Sequence, residues 1–143
     1  MGVVVSDVEW LFPATARTVP EARRRIASTL AQWKLDGLTE VIALLTSEIV
    51  TNAVLHARTD IRIGVTRQPH GVRVEVTDGS PLPPSLRHHS DTATTGRGIR
   101  LLDALADSWS AEPDNGGKTV WFTVSSDRDP WAVAEQLTRE RER

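Results

Sequence analysis

Glu48, Asn52 and His56 recur at four-residue steps inside a stretch otherwise rich in Val, Ile, Leu and Ala. At about 100° per residue, each such step moves only about 40° round a helix, so the three leave from one face. Val41 and Leu45 fall in the same sector, so polar groups interrupt an apolar stripe. Burying them unpaired would cost roughly 1–3 kcal/mol each. Two readings satisfy that demand. In one, the face is a solvated helix edge or a local Glu–Asn–His hydrogen-bond chain. In the other, Glu48 acts as a general base or orients a water, and Asn52 offers its carbonyl oxygen to a hard cation such as magnesium. Magnesium keeps several waters and takes one or two protein ligands beside phosphate oxygens, so a single amide suffices.

Two further groups carry chemistry of a related kind. Asp78 closes the alternating segment Val72-Arg73-Val74-Glu75-Val76-Thr77 and is followed by Gly79-Ser80-Pro81. A carboxylate at a strand end can accept from an exocyclic amine such as that of adenine, and small residues let a flat ring approach the backbone. An ordinary Asp-Gly turn is the alternative. Thr95-Gly96-Arg97-Gly98 stands just before a predicted helix that starts near Ile99. Free N–H groups and the helix dipole there suit a phosphate, and Arg97 adds charge. Loop punctuation explains the glycines equally well. The chain has neither a P-loop nor a Gly-x-Gly-x-x-Gly sequence.

The elements that must hold these groups follow from periodicity. Val8 to Phe12 reads as a short strand closed by Pro13. Ala22, Ile26, Leu30 and Trp33 give one stripe on a helix of about 14 residues that begins at Pro20 and is broken by Asp36-Gly37. A second helix runs from about Leu38 to Ala57. Ile61 to Val65 and Val72 to Asp78 form a hairpin across Gln68-Pro69-His70-Gly71. Residues 79–97 lack a pattern, and a segment that long is a lid, a binding loop or a disordered stretch. The third helix spans Gly98 to Asp107. Trp109 opens another strand, Asp114-Asn115-Gly116-Gly117 turns, and Thr119 to Val124 returns as a strand. The tail from Asp129 forms a short amphipathic helix. Antiparallel pairs with helices between them predict an α+β fold.

Composition bounds the rest. The 143 residues fit one domain, 25% charged at net −2, which removes the basic excess of a nucleic-acid binder. With no cysteine there is no disulfide, thiolate nucleophile or cysteine zinc site. No leader is legible and no stretch reads as the roughly 20 apolar residues that span a bilayer. The expectation is a cytoplasmic protein that binds neither nucleic acid nor membrane.

Taken in order, Ser47-Glu48-Ile49-Val50-Thr51-Asn52-Ala53-Val54-Leu55-His56-Ala57, Val74-Glu75-Val76-Thr77-Asp78, Gly96-Arg97-Gly98-Ile99-Arg100-Leu101-Leu102 and Gly116-Gly117-Lys118-Thr119-Val120-Trp121-Phe122 resemble the ATP-binding domain shared by gyrase and histidine kinases. Within it the chain is most similar to the small anti-sigma regulatory factors of the RsbW type. That resemblance implies a two-layer sandwich, a mostly antiparallel mixed sheet with helices on one face, in a single domain over residues 1–143 with a lid at 80–97. It implies ATP and magnesium as cofactors, Glu48 as the base toward an attacking serine hydroxyl and Asn52 as the metal ligand. His56, Asp78, Thr95, Gly96, Arg97, Gly98, Ile99 and Thr119 would complete the nucleotide site, with Asp78 reading the adenine amine and Thr119 beside it. Partners would be a sigma factor and a STAS-type anti-anti-sigma protein, with the kinase typically a dimer. The superfamily's Asp-x-Gly-x-Gly is here Asp78-Gly79-Ser80-Pro81-Leu82. The proline stiffens that loop and removes an N–H, which argues against tight nucleotide binding. A module of the same fold that holds a partner without phosphotransfer is the second reading, and a plain α+β interaction domain is the third.

Overall fold

Strand β1 (Val8–Phe12) leads into helix α1 (Thr18–Gln32), a 3-10 turn (Asp36–Leu38) and helix α2 (Thr39–His56). The hairpin of β2 (Ile61–Gln68) and β3 (Gly71–Asp78) follows, then helix α3 (Gly96–Leu105) and a second hairpin of β4 (Ser108–Asp114) and β5 (Gly117–Ser125). The computed structural model describes residues 6–81 and 96–127. The proposed lid therefore falls largely, and the amphipathic tail from Asp129 wholly, outside the described residues.

The strands form one sheet in the order β1-β2-β3-β5-β4, with each neighbouring pair antiparallel. The α+β sandwich is as expected, but the parallel component of a mixed sheet is missing among the described residues. The reason is topological. The α3 connection leaves β3 and β4 pointing the same way, yet β5 sits between them and pairs with both. Asn115 and Gly116 make the tight turn of that hairpin, both with positive φ (48° and 85°), as a turn matched to strand twist requires.

Alternation sorts each strand between two faces. Ile61, Ile63 and Val65 of β2, Val72, Val74 and Val76 of β3, and Val120, Phe122 and Val124 of β5 are buried under the helices. Ala22, Ile26 and Leu30 of α1 and Val41, Ile42, Leu45, Ile49, Val50 and Ala53 of α2 complete that core. The opposite sheet face carries Arg73, Glu75, Thr77, Thr119 and Trp121, half-buried and polar at its surface. There the Arg73 guanidinium lies 4.2 Å from the Trp121 ring centre and 2.9 Å from the Glu75 carboxylate.

Local chemistry differs from expectation in two places. Helix α1 ends before Asp36-Gly37: Lys34 takes the left-handed conformation (φ 58°), and Leu35 donates its N–H to the Leu30 carbonyl at 2.8 Å. That is a helix-terminating motif normally given to glycine. The segment Asp36–His56 is, by length and composition alone, apolar enough to cross a membrane, which corrects the expectation that no such stretch exists. Its hydropathy has a local cause, because α2 packs on α1, β3 and α3 and contributes much of the core.

Candidate functional site

The inward rows of β3 and β5 end in charge. Continuing Val72, Val74 and Val76 by two residues brings Asp78 under the helices, and continuing Phe122 and Val120 back by two brings Lys118 there. Strand register sets them directly opposite each other. Both are buried, Asp78 at 6% exposure and Lys118 at 8%. The Lys118 ammonium lies 2.7 Å from Oδ2 and 2.9 Å from Oδ1 of Asp78, and donates to Ser80 Oγ at 2.7 Å. Ser80 in turn gives its backbone N–H (2.8 Å) and hydroxyl (3.0 Å) to Asp78 Oδ1. The Gly79 N–H donates to Thr59 Oγ1 at 2.8 Å, which ties the loop after β3 to the segment after α2. A buried carboxylate and ammonium are tolerable only with such pairing, since removing either from water costs several kcal/mol.

Gly117 is the reason the two strands can carry this pair so close. A Cβ at that position would strike the Asp78 carbonyl oxygen and come within 2.9 Å of the Gly79 Cα. Glycine is required there for backbone approach rather than for an unusual dihedral angle.

On α2, Glu48 and Asn52 are both half-buried, neither sealed in the core nor turned into bulk solvent. His56, the last residue of the helix, is exposed, so the stripe drifts outward along its length. Helix α2 packs on β3 and α3. Helix α3 begins at Gly96, earlier than expected, so Gly96, Arg97, Gly98 and Ile99 form its first turn. The first four N–H groups of a helix have no intrahelical partner, so a turn of this kind can present donors to an anion. Thr95 lies outside the described residues. No group of three or more His, Cys, Asp or Glu side chains able to hold a metal occurs among the described residues. The Asn52 amide oxygen is of the chemical type a magnesium ion accepts when phosphate and water fill most of its shell.

Thr119 corrects the sequence reading. It lies on the sheet face opposite Asp78, bonded to Thr77 Oγ1 at 2.8 Å and donating to Asp114 Oδ2 at 3.0 Å. A strand alternates faces at every residue, so a one-position difference decides the matter. Lys118, which sequence reasoning passed over, holds the inward position. Its signal was available as parity with Val120 and Phe122. A cavity of about 370 Å³ also opens beside Asp78, but it is lined by Leu11, Arg62, Thr77 and Asp114 and does not include Glu48 or Asn52.

A profile described as the histidine kinase-like ATPase domain matches residues 12–124. The chain belongs to that family. Solved structures agree on the fold of this histidine kinase-like ATPase domain. The histidine kinase domain of the blue-light activated kinase EL346 from Erythrobacter litoralis superposes with TM-score 0.57 at 20% identity, over 82% of this chain and 65% of that one. The chain thus spans about two thirds of that relative. The catalytic domain of histidine kinase ThkA gives 0.53 at 18% identity, covering 83% and 96%. The Acinetobacter baumannii histidine kinase AdeS gives 0.51 at 13%, covering 85% and 68%. No curated protein sequence matches the chain. Within the family frame, α2, the β3 end and the first turn of α3 are the parts of the ATPase domain that hold Glu48 and Asn52, Asp78, and Gly96 to Gly98 respectively.

Proposed function

We propose that this ATPase domain binds magnesium-ATP and acts as a protein serine/threonine kinase of the anti-sigma type. The supporting observations are Asp78 buried at the end of β3 and, on helix α2, which packs on that strand, Glu48 and Asn52 half-buried one turn apart. Asn52 contributes its carbonyl oxygen to the cation, and the first-turn N–H groups of α3 receive phosphate oxygens. Asp78 accepts a hydrogen bond from the adenine amine. Glu48 takes the proton of a serine hydroxyl as its oxygen bonds to the γ-phosphorus and the bond to the β-phosphate oxygen breaks, releasing ADP. The rate gain comes from positioning and charge stabilisation. The acceptor serine belongs to a STAS-type anti-anti-sigma protein, and the kinase, as a cytoplasmic dimer, sequesters a sigma factor and so regulates transcription.

A second reading is favoured by Lys118 and by Ser80-Pro81: with Asp78 already paired, the domain holds a partner and nucleotide serves as a switch without phosphotransfer. Two measurements separate the readings. Magnesium-ATP raises the melting temperature of the wild type, and Asn52→Ala abolishes the rise; no wild-type shift at millimolar ATP removes both. Radiolabel from γ-labelled ATP then passes to a cognate anti-anti-sigma protein and is lost in Glu48→Ala. Binding without transfer leaves the switch.

A further inference from the structure

We infer that Lys118 is a base-reading residue, donating a hydrogen bond to ring nitrogen N1 of adenine while its partner Asp78 accepts from the N6 amine. The inference rests on the nucleotide-binding reading above and adds a specificity determinant to it. Asp78 Oδ1 is saturated: it receives the Ser80 N–H, the Ser80 hydroxyl and the Lys118 ammonium. Oδ2 receives only Lys118 among the described residues, which leaves it one lone pair. Lys118 spends two of its three contacts on a single carboxylate, at 2.7 and 2.9 Å, and the third on Ser80. One of those two can pass to a ligand without dissolving the ion pair.

The outcome is an acceptor and a donor side by side, held 2.7 Å apart. Adenine carries the complementary pair on one edge, with N6–H donating and N1 accepting. Guanine presents the reverse at the corresponding atoms, a carbonyl oxygen at position 6 and an N–H at position 1. In the same seat both guanine contacts would set like against like, and unpaired polar contacts in a buried site discriminate strongly. Lys118 also has a compact, freely rotating ammonium rather than a planar fork, so it can serve the carboxylate and the base together.

The test is calorimetric titration of the full chain, in magnesium, with ATP, GTP and 1-deaza-ATP, in which C–H replaces N1. The wild type is expected to bind 1-deaza-ATP about ten- to a hundredfold more weakly than ATP, the range for a charged hydrogen bond, and GTP more weakly still. Lys118→Met is expected to bind ATP and 1-deaza-ATP alike. Should removal of the charge prevent folding, Lys118→Gln keeps a neutral donor too short to hold Asp78 and reach the base, and its discrimination should fall. Equal wild-type affinity for ATP and 1-deaza-ATP overturns the inference, as does undiminished discrimination in either variant. In both cases ATP binding that is still weakened by Asn52→Ala leaves the nucleotide-binding reading standing. If the wild type does not bind ATP at all, that reading and this inference fail together.

Discussion

Removing one member of the Asp78–Lys118 pair should be far more damaging than removing both. Each residue is over nine-tenths buried, and the ammonium makes three contacts under 3.0 Å. Asp78→Ala leaves a buried ammonium with only Ser80 Oγ as partner among the described residues. Lys118→Met leaves a buried carboxylate supported, among the described residues, by Ser80 alone. Breaking a buried pair from one side costs about 3–5 kcal/mol, whereas replacing both charges by apolar groups is often close to neutral. At the scale of this domain each single change should lower the melting temperature by on the order of 10 °C. The double variant should recover most of the loss. Urea unfolding of the four proteins without nucleotide gives the coupling directly as the departure from additivity. If each single variant lost under about 1 kcal/mol, the range of exposed ion pairs, the pair would be solvated and the argument from burial would be wrong. Additive losses would be equally damaging to it.

Other consequences follow from single residues. Gly117→Ala must push β5 away from the Asp78 carbonyl, so it should destabilise by about 1–3 kcal/mol, as overpacked sites do; an unchanged urea midpoint would show that the strands can part freely. Ile26 is fully buried in α1, and Ile26→Ala should cost about 2–5 kcal/mol, read from the same unfolding curves. Arg24 chiefly, with Arg25, holds the Glu21 carboxyl below its ordinary value. A lowered folded value means a contribution present above the ordinary carboxylate range and lost as pH falls through the folded value. The gap between wild type and Glu21→Gln should therefore be small at neutral pH and close in acid; a gap that widens on acidification would contradict the ion pairs.

Much of the architecture was legible in the chain because its cause is local. Alternation along residues 72–78 marked a half-buried strand, Asp114 to Gly117 carried the chemistry of a tight turn, and Ala22, Ile26 and Leu30 marked one helix face. The four-residue spacing put Glu48 and Asn52 on a common face, and both are half-buried. Other features had no local cause to read. Lys34 ends α1 in a conformation usually given to glycine, where the preference along the sequence pointed to Gly37. That no parallel rung occurs among the described residues depends on β5 inserting between β3 and β4, a long-range pairing that periodicity does not encode.

The sequence by itself determined which residues could do chemistry and which faces they share, since helix and strand periods are properties of neighbouring residues. Only the tertiary structure decided their company. Parity along β5 put Lys118, not Thr119, on the inward face; that it stands opposite Asp78 itself is a matter of register between strands 40 residues apart in the chain. A shift of one position would exchange an ammonium for a hydroxyl beside that carboxylate, because successive strand residues face opposite sides of the sheet.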